Sequence, residues 1–148
     1  MRKAGFTLPE LIVVIGIVLA LFGIAAVNLV GVQRRSYLDT TVSKLLIDIK
    51  EQQTRAMAGD TQDGDQQGDF GIYFEANKYT FFDGFEVMLD PSVSISSVGF
   101  PGSTLVFEKI TGEVVGFTAG ADFVSISDSA SGLSKTIRLN RFGSINVE

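Results

Sequence analysis

The chain contains no cysteine and no histidine. The first absence removes disulfides and thiolate metal sites. The second removes Ser–His and Cys–His catalysis and imidazole ligation of metals. Neither absence identifies the compartment, because a non-reducing location permits disulfides without requiring them. Basic residues are also scarce: 12 Lys and Arg stand against 17 Asp and Glu, a net charge of −5. An acidic chain is poorly suited to general binding of DNA or anionic lipid through counterion release. Proline is absent from residues 11–58, so nothing of that kind breaks a helix there.

At 148 residues the chain suits one modest domain plus an appendage. Its hydrophobic content of 45% is ordinary for a globular protein, but it is unevenly spread. Residues 11–33 hold no charge, and 11–27 are almost wholly apolar. As a helix, that run is long enough to cross about 30 Å of hydrocarbon. Arg2 and Lys3 precede it and favour a cytoplasmic N-terminus with the remainder outside; Arg34 and Arg35, after it, oppose that vote.

Glu10, beside Pro9 at the head of the run, is the unusual residue. An ionisable group within a span costs roughly 2.5–3.5 kcal/mol at the bilayer centre and less near an edge, so it calls for a partner. Two plainer readings of the segment leave Glu10 unexplained. One is a secretory signal peptide cut near Gly23-Ile24-Ala25, and the other is a simple single-span anchor. Pro9 itself needs no more than the tolerance of proline in a first helical turn.

Met1-Arg-Lys-Ala-Gly5 followed by Phe6-Thr-Leu-Pro-Glu10 and a long apolar run resembles the leader and helix start of type IV prepilins and type II secretion pseudopilins. The resemblance rests on Gly5, Phe6 and Glu10 in register. It implies cleavage between Gly5 and Phe6 by a prepilin peptidase and methylation of the new Phe6 amine. It also implies pairing of Glu10 with the Phe6 amine of a neighbouring subunit. Opposite charges about 4 Å apart gain on the order of 4 kcal/mol at an effective dielectric of 20. That offsets the burial cost and sets the stagger between subunits. Loss of Arg2 and Lys3 with the leader leaves 10 bases against 17 acids, a net charge of −7. The implied partners are other pilin or pseudopilin subunits, the peptidase and an inner-membrane assembly platform. No cofactor or metal is implied.

Gly16, Ala20 and Gly23 recur at steps of four and three, which places small residues on one helix face where another helix can approach. Glycine is also simply common in membrane helices. The helix-breaking proline that many of these proteins carry later in the span is missing. Beyond the span, Leu38, Val42, Leu45 and Ile49, with Leu46 and Ala56, form one apolar stripe. Gly59-Asp60 ends the pattern. A helix over 6–58 would be roughly 80 Å long.

Residues 59–69 read as an acidic, Gly-rich loop in which Asp63, Asp65 and Asp69 offer calcium-capable oxygens without EF-hand spacing; a solvated loop is the preferred reading. Residues 70–148 alternate in short runs that predict seven or eight antiparallel strands, one of them at 113–118. Near the end, Lys135, Arg138 and Arg141 resemble the basic C-terminal strands of H-type pseudopilins and related minor pilins. Some of those relatives bind DNA, whereas basic residues on an exposed strand edge need no ligand.

The expectation is therefore an α+β chain: a long N-terminal helix, its first half transmembrane, packed on a small antiparallel sheet domain. Its parts are leader 1–5, assembly half-helix 6–30, amphipathic half-helix 31–58, acidic loop 59–69 and β domain 70–148. The expected role is structural, in a pilus-like filament or secretion pseudopilus, with DNA uptake through the C-terminal bases as the alternative. The subunit would cross the cytoplasmic membrane once, with its C-terminal domain outside. An enzyme without His or Cys would need a carboxylate pair or a Ser–Lys pair, and no spacing points to one.

Overall fold

The structure, a computed structural model, describes residues 7–59 and 70–148, with the side chains of 25–36 set aside. One helix, α1, runs from Leu8 to Ala58, 51 residues or about 77 Å of rise. Thr7 in extended conformation starts it, and Gly59 in the left-handed region ends it, donating its N–H to Ala56 O.

Eight strands follow: β1 Phe70–Phe74, β2 Lys78–Phe81, β3 Glu86–Met88, β4 Val93–Val98, β5 Thr104–Phe107, β6 Phe123–Asp128, β7 Ser134–Leu139 and β8 Ile145–Val147. They are antiparallel, as expected, and form two four-stranded sheets, in the orders β3-β2-β1-β5 and β4-β6-β7-β8. The chain changes sheet at Asp90-Pro91, where proline cannot supply a ladder donor, again at the 3-10 turn Pro101–Ser103, and a third time between β5 and β6. Alternation shows which face of a strand is buried, but not which strand lies beside it.

Residues 113–118 do not form a strand. Gly112, just before the segment, and Gly116, within it, take positive φ (both 67°), so the chain turns there instead of running on extended. Only the bridge between Phe107 and Val114 remains. Gly71 shows why β1 and β5 can pair so closely. A Cβ there would lie 2.5 Å from Leu105 O and 3.0 Å from the Phe82 ring.

The core lies between α1 and the inner faces of both sheets. Leu38, Val42, Leu45, Ile49 and Ala56 are buried, as the stripe predicted, with Leu46 packed alongside. They meet Ile72 and Leu105 from the first sheet and Val124, Ile126, Ile137 and Leu139 from the second, all essentially inaccessible. Tyr79, also buried, donates its hydroxyl to Asp48 on α1, and burial holds the phenol well above its usual pKa. The phenol therefore remains a donor across the neutral range.

Two polar side chains lock the end of the helix to distant turns. Gln53 donates to Gly112 O (3.0 Å) and Phe142 O (2.9 Å). Lys50 donates to Gln53 Oε1 (2.9 Å) and Gly143 O (2.8 Å). A Cβ at Gly143 would stand 2.2 Å from Gln53 Nε2, so this turn closes only on glycine.

Ile49→Ala removes a fully buried side chain at the seam between the sheets and is expected to destabilise the domain by about 2–5 kcal/mol in urea unfolding. Gln53→Leu, which leaves the Gly112 and Phe142 carbonyls without their donor, is expected to cost about 2 kcal/mol. An unchanged unfolding midpoint for either variant contradicts this account of the core.

Candidate functional site

The first seventeen residues of α1 carry the feature the globular part does not use. Every large apolar side chain from Leu8 to Ile24 is exposed, from 43% at Val18 to 72% at Leu8. Burying one such side chain contributes roughly 1.5–3 kcal/mol. A strip of this size is far beyond scattered surface hydrophobes and marks a surface that something else covers. Among the described residues, no helix is long and apolar enough to cross a membrane. The apolar sequence continues to residue 27, but side chains 25–36 fall outside the description, as does part of the expected span 6–30.

Gly16, Ala20 and Gly23 lie within this strip, and a Cβ on either glycine would meet nothing within 4 Å. Among the described residues, nothing covers that small-residue face. Gly5 and Phe6 lie outside the described residues, so the expected cleavage bond has no geometry here.

Glu10 occupies the third position of the helix, in its first turn. Its Oε2 accepts from the Thr7 N–H and the Thr7 hydroxyl, both at 3.4 Å, while the Glu10 and Leu11 N–H groups donate to Thr7 O at 3.1 and 3.2 Å. This is the reach-back of a capping box. Its carboxylate also faces the positive end of the helix dipole. The Thr-x-x-Glu spacing, with its apolar run behind it, was readable in the sequence and is the signal that identifies Thr7 as a further site residue. At 3.4 Å both contacts are long, so the carboxylate is held only weakly.

The three C-terminal bases are not brought together. Lys135 and Arg138 leave β7 on opposite faces, as an odd separation in a strand requires. Lys135 pairs with Asp39 on α1 at 2.6 Å. Arg138 pairs with Asp122 at 3.0 Å and Glu148 at 3.3 Å, and Arg141, on the β7–β8 turn, with Glu113 at 2.8 Å. Each basic charge is balanced locally. The possible calcium ligands Asp63, Asp65 and Asp69 lie outside the described residues. Among the described residues, no cluster of three or more His, Cys, Asp or Glu side chains is placed to hold a metal ion.

Residues 1–26 match the family model of the prokaryotic N-terminal methylation motif. No curated protein and no solved structure matches the chain. The matched motif is that of prepilin-type leaders, and it supports a pilin-type subunit that is processed by a prepilin peptidase and assembles with others of its kind.

In detergent-free buffer the full chain is expected to sediment as large aggregates, and in micelles as a single copy per micelle. A monodisperse, detergent-free monomer in analytical ultracentrifugation would mean that the Leu8–Ile24 strip is covered by the chain itself.

Proposed function

We propose that this chain is a minor structural subunit of a type IV pilus-like filament or a type II secretion pseudopilus. The observation that carries the reading is the wholly exposed apolar helix from Leu8 to Ile24, continuous with a prepilin-type leader at one end and a packed domain at the other. Before assembly the strip lies in the cytoplasmic membrane, with the two-sheet domain outside. After leader cleavage and N-methylation at Phe6, the subunit is drawn from the lipid, and the same strip is buried by the helices of neighbouring subunits. Gly16, Ala20 and Gly23 give those helices their closest approach. Many major pilins close a C-terminal disulfide loop; a chain without cysteine suits a minor position instead.

In this reading Glu10 has two successive partners. In the single subunit its carboxylate rests on Thr7, at distances long enough to release it. In the filament it pairs with the methylated Phe6 amine of a neighbour, where exclusion of water makes the attraction of opposite charges stronger than at the surface. Binding of DNA through Lys135, Arg138 and Arg141 is not favoured, because all three already face carboxylates and do not converge.

Co-expression with a prepilin peptidase, followed by intact-mass and N-terminal analysis, tests the class. The expected product begins at methylated Phe6. A product beginning near Ala25, or an uncut chain, overturns the filament reading. Substitutions at Glu10 then separate its two roles. Glu10→Gln keeps a side chain that can reach back in a capping box but removes the charge. It is expected to fold normally and to fail in filament incorporation as completely as Glu10→Ala. Normal incorporation of Glu10→Gln would reduce Glu10 to a helix cap.

A further inference from the structure

A groove of about 310 Å³ lies between α1 and the β2–β3 hairpin. On the helix side it is lined by the row Lys44, Asp48, Glu51 and Arg55. The hairpin side is aromatic: Phe85, 64% exposed, stacks on buried Phe81 with ring centroids 6.0 Å apart. Two contacts cross from helix to hairpin and bound the space. The Tyr79 hydroxyl donates to Asp48, and Arg55 pairs with Asp83 at 3.2 Å.

Gln52 lines the same groove and is 4% exposed. Among the described residues its side-chain amide makes no hydrogen bond, whereas the amide of Gln53, next in sequence, donates to two carbonyls. No fully buried side-chain nitrogen or oxygen lacks a partner among the described residues, so the Gln52 amide keeps a narrow contact with solvent, and the groove is the opening it lines. An amide so placed has lost most of its hydration and gains nothing from the chain in return. Its donors and acceptor lie side by side, the arrangement that a second carboxamide answers with two hydrogen bonds.

The strand edge beside the groove also has unmet hydrogen-bonding groups. β3 is an outer strand of its sheet. The Phe81 N–H donates to Phe85 O and the Leu89 N–H to Asn77 O, and Tyr79 pairs with Val87 between them. Bonded and unbonded pairs alternate in an antiparallel ladder, so the N–H and C=O groups of Glu86 and Met88 point away from β2. That makes two donors and two acceptors on an edge that no described strand covers. In a strand laid along it, every second side chain would enter the groove.

We propose that the β3 edge and its groove bind an extended peptide segment of another protein, with a glutamine inserted against Gln52. The segment's main chain pairs with Glu86 and Met88, as in strand addition. The inserted glutamine lays its stem on Phe85 and its carboxamide on that of Gln52. Lys44 and Glu51 have no ion pair among the described residues and stand about 10 Å apart along the helix. They select an acid and a base on either side of the glutamine at the next inward positions, about 13 Å apart. A second copy of this chain does not fit. Its own β3, paired edge to edge, would turn Phe85 and Val87 inward and leave Gln52, Lys44 and Glu51 unanswered. The inference stands without the filament reading, because a chain that is neither cleaved nor assembled would still bind the segment.

The test titrates the full-length chain in detergent micelles against a dye-labelled peptide of seven residues, threonine alternating with glutamate, glutamine and lysine, followed by fluorescence polarisation. Saturable binding is expected, about tenfold tighter than that of the same peptide with leucine in place of the glutamine, the effect of one or two hydrogen bonds. Gln52→Leu is expected to reverse that preference while leaving the urea unfolding midpoint equal or higher, because the amide it removes has no partner in the free chain. Two further peptides, N-methylated at alternate sets of residues, should differ: one set faces β3 and its methylation lowers affinity tenfold or more, and the other leaves it unchanged. Met88→Pro removes an N–H that β2 does not use and should abolish binding. Absence of saturable binding overturns the proposal. So does a glutamine preference that survives Gln52→Leu, a lowered midpoint in that variant, or equal effects of the two methylation patterns. Self-association that Met88→Pro dissolves would make the edge a contact between copies and would also overturn it.

Discussion

The stripe Leu38–Val42–Leu45–Ile49 is packed against both sheets at once, and neither sheet closes its core without it. One helix therefore provides the common wall of two four-stranded layers, each too small to hide its inner face alone. The chain reinforces that arrangement by crossing between the sheets at β4 and β5 before completing the second sheet with β6, β7 and β8. The Gln53 and Lys50 contacts add a polar lock where the helix ends, tying it to turns 59, 89 and 93 residues further along the chain. The consequence is a domain whose folding fixes the direction in which α1 leaves it. The exposed half-helix continues the same helix without a break in its secondary structure.

The periodicity of α1 was legible because its amphipathic half faces a single continuous core. The apolar positions recur at helical spacing, and those in the stripe are the buried ones. Strand positions were legible for a similar reason, with Phe70, Ile72 and Phe74 alternating as a half-buried strand does. Pairing was not, since a strand's pattern carries no record of its neighbour, and the division into two sheets depended on three sheet crossings. The false strand at 113–118 had suitable residues, Val114, Val115 and Phe117, but positive φ at Gly112 before it and at Gly116 within it turned it into a bridged loop. Gln53 was hidden among ordinary helix polar residues, because its partners are carbonyls of remote turns that no local spacing reveals.

Of the candidate site, Glu10 was legible as an anomaly, because a carboxylate beside an apolar run demands a reason. Its local reason is the helix terminus: Thr7 is the N-cap, and Glu10 reaches back from the third helical position. A cap alone needs no charge, since glutamine is found in the same role. The charge is what an amine of a neighbouring subunit would require. On the proposed assembly, one side chain would serve both purposes in turn, and the long 3.4 Å contacts would leave room for the exchange. The basic C-terminal residues illustrate the opposite outcome. Near neighbours in sequence, they diverge in space because successive strand residues point to opposite faces, and the carboxylates that neutralise them come from distant parts of the chain.

Two exposed surfaces differ in a way that bears on what can meet them. The half-helix from Leu8 to Ile24 is apolar around its circumference, so lipid or other apolar helices satisfy it without any particular register; only Glu10 and the small residues impose one. The hydroxyl face of the second sheet, where Ser94–Ser127–Ser134 and Ser97–Ser125–Thr136 cross its strands, has the reverse character. Its groups are fixed on a sheet, spaced by strand geometry, and favourable only towards a partner that answers them with hydrogen bonds. Water does this already, so a ligand gains little at any one position. The exposed half-helix therefore needs a cover that water cannot give, whereas the hydroxyl face is already satisfied by solvent and ends on the carboxylate of Glu148.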